Sequence, residues 1–243
     1  DLRSEMVGEF PELQGVMGGY YARHDGEPEA VAQAINEHYR PRFAGDELPV
    51  SETGSLVAIA DKLDTLTAIF SLGLIPTGDK DPFALRRNAL GIIRIIIEKK
   101  LVLGLSDMIG FAVDALVFGG DRAALIDQVR TFILDRLRAY YLDQGVVAEV
   151  YAAVRAVDCD DLRDFDARVN ACKSFLMMAD AEALSAANKR VRNILRKAED
   201  RSGDAVAVIE HHLVEPAEQQ LYRRLGEVSA TVCRLTATGQ DYS

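Results

Sequence analysis

The sequence predicts an all-α protein, and three observations carry that reading. Apolar residues recur at spacings of three and four along most of the 243-residue chain. Acidic residues and prolines stand where helix first turns need them, and glycines where helices end. No stretch alternates apolar and polar residues over a strand's length, and no hairpin turn or fixed-period repeat appears.

Taken in order, Pro28 opens a helix that runs to about Arg40, where Pro41 closes it. Residues 54–72 place Leu56, Ile59, Leu63, Leu66 and Ile69 on one stripe, and Gly73 ends the helix. Asp81 then caps the next helix, with Pro82 fixing its first turn. Phe83, Leu90, Ile93, Ile97 and Leu101 form its stripe, and Ile92, Ile95 and Ile96 widen it, so this helix should be buried on most of its circumference. Arg87 and Arg94 lie seven apart on the remaining face, with Glu98 one turn on. Ser106 or Asp107 restarts the chain, and Gly119-Gly120 breaks it. Asp121 caps a helix through Tyr141. Further helices follow at about 145–156, 160–179, 181–199 and 204–228, the last interrupted or kinked at Pro216.

Composition narrows the function. At 49% hydrophobic residues the chain can bury a full core. Arg94, Glu98, Lys99 and Lys100 interrupt its most apolar run, so no membrane span is read. The first residue is Asp1 and the opening residues are polar and acidic rather than an export signal, so the expectation is either a removed N-terminus or a piece of a longer protein. Three widely spaced cysteines, Cys159, Cys172 and Cys233, fit neither a disulfide framework nor a zinc knuckle and suit a reducing cytosol. A net charge of −10 excludes a surface that grips nucleic acid all over, so any such contact must be a local patch.

Three constellations could carry chemistry. Thr77-Gly78-Asp79-Lys80 sets a lysine beside a glycine, but lacks the second glycine, the Ser/Thr and the preceding strand of a phosphate-binding loop. His24-Asp25, His38 and Asp61 are the residue types that hold divalent metals in helical phosphohydrolases of the HD superfamily. The His24-Asp25 pair reads as a loop tip rather than a core helix, so the expectation is a vestigial HD fold without metal. His211 and His212, with Glu210 and Glu215, lack the spacing that would place two histidines on one face. The sharpest cluster is cationic. Lys189, Arg190, Arg192, Arg196 and Lys197 fall within nine residues, and on a helix Lys189, Arg192 and Arg196 share a side while Val191, Ile194 and Leu195 look inward. That side could follow a phosphate backbone, or be a solvated face neutralised by Glu182, Glu199 and Asp200.

Five stretches together resemble the β subunit of bacterial heterotetrameric glycyl-tRNA synthetase. They are EMVGEFPELQGVMGGYYA at 5–22, AINEHYRPRFAGDELP at 34–49, VAIADKLDTL at 57–66, PTGDKDPFALRRNALGIIRIIIEK at 76–99 and NKRVRNILRK at 188–197. The resemblance runs the length of the chain, which would be about a third of such a subunit. It implies an α2β2 enzyme whose α subunit activates glycine with ATP, while the β subunit binds the tRNA for glycine in the cytoplasm. The implied organisation is an N-terminally truncated HD-like domain over 1–75, a helical connector over 76–179, and a C-terminally truncated anticodon-binding domain over 180–243. It further implies no catalytic residue, no metal and no bound cofactor in this piece, and no membrane or DNA partner. Lys189, Arg190, Arg192, Arg196 and Lys197 become the expected tRNA contacts. Arg86, Arg87 and Arg94 are expected to snorkel and pair with carboxylates such as Asp79 or Glu98, with tRNA contact as the alternative. A metal-dependent phosphohydrolase and a helical interaction scaffold stay open beside this reading.

Overall fold

A computed structural model describes residues 3–78, 80–199 and 208–239, and among these it contains eleven α-helices and no strand. They are α1 (Glu5–Glu9), α2 (Val16–His24), α3 (Glu29–Glu37), α4 (Glu52–Ser71), α5 (Leu85–Glu98), α6 (Leu105–Asp114), α7 (Arg122–Asp143), α8 (Ala148–Arg155), α9 (Leu162–Leu176), α10 (Ala181–Glu199) and α11 (Pro216–Gly239). The chain divides into two compact units, Asp1–Phe165 and Asp166–Ser243, with the division inside α9.

In the first unit α5 is the centre. Leu85, Ala89, Ile92, Ile93, Ile95 and Ile96 are completely buried and Ile97 nearly so, which leaves Leu90 as the one large apolar side chain of this helix that is partly exposed. It packs against α4 and α7, while α4 also packs against α3, α6 and α7. The helices on either side of residue 75 therefore share one core. Phe70 of α4 meets Phe132 of α7 edge to face, with ring centroids 5.2 Å apart. At the far end Tyr141, Tyr151 and Phe165 form an aromatic cluster that joins α7, α8 and the start of α9.

Helix starts show where local sequence suffices and where it does not. Ser51 caps α4 by accepting from the Gly54 amide at 2.9 Å, and Asp121 caps α7 by accepting from Ala123 and Ala124. The helix expected from Pro82 begins instead at Leu85. Residues 82–84 form a turn, and Ala84 enters the left-handed region at φ 55°. Asp81 still serves the helix, because its two carboxylate oxygens reach over that turn to the amides of Leu85 and Arg86 at 2.8 and 2.9 Å. The start expected from Ser106 or Asp107 is also corrected. Helix α6 begins at Leu105, and the carboxylate that takes up the Ser106 amide is Asp160, 54 residues away. Pro216 starts α11 rather than kinking a longer helix, as its missing N–H allows at a first position.

Candidate nucleic-acid interface

In the second unit, α10 carries Lys189, Arg190, Arg192 and Arg196, and all four side chains are exposed. Lys189, Arg192 and Arg196 lie at steps of three and four along one side, spanning about 10 Å of helix axis. Ser185 and Asn188 extend the same side toward the N-terminus. None of the four cations has an ion-pair partner among the described residues, so the neutralised-face alternative finds no support in Glu182. Lys197 belongs to the helix, but its side chain lies outside the described residues, as do those of Glu199 and Asp200.

One expectation about this helix is corrected. Val191, Ile194 and Leu195 do not look inward: each is more than half exposed. Amphipathic spacing says that a helix has two faces, not that the chain itself supplies a cover for the apolar one. Helix α11 has the same character, with Leu221, Leu225, Val228 and Val232 exposed.

The arginines of α5 divide into two kinds. Arg94 is held by contacts within the fold. Its Nε donates to Glu98 at 2.8 Å, and its Nη1 donates to the carbonyls of Ala44 and Asp46 at 3.0 and 2.9 Å. It thus fastens the 44–46 loop to the central helix, in keeping with the expected pairing to Glu98. Arg86 donates to the Gly78 carbonyl. Arg87 is exposed and makes no ion pair among the described residues, and Asp79 lies outside them.

The metal candidates do not converge. His24 ends α2 and Asp25 follows it, both exposed, and Asp61 is exposed on α4. His38 turns its Nδ1 to the Ile35 carbonyl at 2.8 Å, and its ring lies tilted against that of Tyr39, centroids 3.9 Å apart. Among the described residues no three His, Cys, Asp or Glu side chains gather as a metal would require. His211 and His212 sit exposed in a short turn, their rings 4.4 Å apart.

A family model for the glycyl-tRNA synthetase beta subunit matches residues 1–156. The chain belongs to that family.

Relatives agree along the whole chain. The glycine–tRNA ligase beta subunit of Ectopseudomonas mendocina is 52% identical over 240 residues, which is 99% of this chain and 35% of the relative. The corresponding proteins of Pseudomonas fluorescens and Stutzerimonas stutzeri are each 51% identical over 241 and 240 residues, again 99% of this chain and 35% of theirs. The chain therefore spans about a third of the length of these family members.

Two residues of this family member escaped the sequence reading. Lys62 follows Asp61 on α4 but is only 3% exposed, and its Nζ donates to the His38 carbonyl at 3.0 Å. Burial pushes its pKa down to about 8, against the opposing pull of the Asp61 charge. A lysine next to the exposed Asp61 carries no sequence mark of burial; the hint was Gly91, whose missing side chain leaves the room that Lys62 fills. Arg136 sits in the middle of α7, and its Nε is buried with no hydrogen-bond acceptor among the described residues.

Proposed function

We propose that this chain is a tRNA-binding part of a glycyl-tRNA synthetase β subunit, and that α10 supplies its phosphate contacts. The observation that carries the reading is the exposed row of Lys189, Arg192 and Arg196, without a carboxylate partner among the described residues, on a chain whose net charge of −10 would otherwise repel a polyanion. Membership in the family supports the rest: the ligation of glycine to its tRNA at the expense of ATP in the cytoplasm, with the reacting groups held by an α subunit and none by this piece. Cations placed this way position the RNA and do not touch the reacting atoms. In the intact synthetase, changing Lys189, Arg190, Arg192 and Arg196 to glutamate should raise KM for tRNA at least tenfold. Glycine-dependent exchange between ATP and pyrophosphate should be unchanged. An unaltered KM would refute the assignment.

A second reading has one observation behind it. The apolar faces of α10 and α11 are exposed, as on a helical scaffold that docks another protein. Under that reading, substitution of Ile194 and Leu225 by serine impairs assembly while the charge reversal leaves tRNA affinity intact.

A further inference from the structure

Helices α5 and α7 of the first unit flank a pocket of about 480 Å³, a size that accommodates a small organic ligand. Four arginines line it, Arg86, Arg87, Arg94 and Arg136, together with two carboxylates, Glu98 and Asp143. Arg94 and Glu98 are already spent on each other at 2.8 Å. Three cations then face one anion, a local charge of +2 in a chain of −10.

Two of the three cations have unused donors. Both Arg87 and Arg136 line the pocket, and neither has an ion pair among the described residues. The guanidinium fork matches the paired oxygens of an oxyanion. A phosphate, carrying one negative charge as a diester and close to two as a monoester at neutral pH, answers this local positive excess. The remaining wall includes Leu90, Ala139 and Tyr140, apolar side chains and an aromatic ring against which a planar group attached to the phosphate could pack.

We propose that this pocket binds the phosphate of a nucleotide unit, with Arg87 and Arg136 on the phosphate and the Leu90–Tyr140 wall against the attached nucleoside. The unit is either a free mononucleotide or a nucleotide of bound RNA, and the chemistry of recognition is the same. The site is independent of the contacts proposed for α10.

The test uses the intact protein with UMP, which the ligation of glycine does not consume, and with uridine as the control that lacks the phosphate. UMP is expected to bind saturably, and uridine at least tenfold more weakly. Arg87→Gln/Arg136→Gln should weaken UMP at least tenfold, Arg136→Lys should recover part of the loss, and the glutamate variant of α10 should leave UMP binding unchanged. Should UMP fail to bind while the glutamine pair lowers tRNA affinity about tenfold, the phosphate belongs to RNA and the site stands. A glutamine pair that alters neither UMP nor tRNA binding overturns the proposal, whether or not the variant melts lower.

Discussion

One carboxylate oxygen of Glu37 accepts two hydrogen bonds from Ser51, from its amide at 2.9 Å and from its hydroxyl at 2.6 Å. Ser51 in turn caps α4, so the end of α3 holds the start of α4 through a single buried acid. Burial opposes ionisation of Glu37, but the bonds from Ser51 and Gln33 overcome it, and the pKa lies below the ordinary 4.5.

A depressed carboxylate stabilises the fold above its unfolded pKa and stops doing so as pH falls through its folded value. Glu37→Gln should therefore cost about 1–3 kcal/mol at neutral pH, and the gap to wild type should narrow on acidification below about 4.5. Gly54 tests the same junction from the other side. A Cβ there would stand 2.4 Å from the Glu37 carboxylate and 2.8 Å from the Ser51 hydroxyl, so Gly54→Ala should cost about 1–3 kcal/mol. Thermal melting from pH 3 to 8 measures both.

Lys62 has the opposite pH signature. Its folded pKa of about 8 lies below the ordinary 10.5, so the unfolded chain binds more protons between those values and stability rises with pH across that window. Lys62→Met should abolish that rise while staying within roughly 1 kcal/mol of wild type at pH 7, because the lost bond to His38 and the relieved burial of charge oppose each other. Gly91→Ala places a Cβ 2.9 Å from the Lys62 Cε and should destabilise, less so in a Lys62→Ala background. Denaturant titrations at pH 7 and 10 read out each case.

Asp160 is the acceptor for the Ser106 amide and hydroxyl, the latter at 2.6 Å, and for Arg130 at 3.3 Å. Asp160→Ala leaves the first turn of α6 without its carboxylate and should cost about 2–3 kcal/mol in urea unfolding. A cost below about 0.5 kcal/mol would mean that water replaces it.

Arg94→Met should lower the melting temperature through loss of the 44–46 fastening, with tRNA affinity unchanged. The same substitution would reduce both if Arg94 touched RNA.

These junctions mark what the sequence discloses. The all-α fold, the cap at Asp121 and the burial of the isoleucine helix rest on neighbours within a few residues, and local spacing reports such neighbours faithfully. The cap of α6 by Asp160 joins groups 54 residues apart, and no local pattern encodes it. Lys62 was invisible for a related reason: its burial is decided by a glycine on another helix. The cationic residues of α10 could be read as one row from spacing alone. The exposure of Val191 and Leu195 could not, because periodicity defines a face without naming what covers it.

The most direct test of the central claim is equilibrium binding of tRNA for glycine to the intact protein at two or more salt concentrations, for wild type and for the glutamate variant of Lys189, Arg190, Arg192 and Arg196. Wild type should bind more weakly as salt rises. The variant should lose at least tenfold in affinity, and its slope of log K against log salt should shrink by about 3, near the value for the release of counterions from four phosphates. Equal affinities and equal slopes would contradict the assignment of α10 as the tRNA contact.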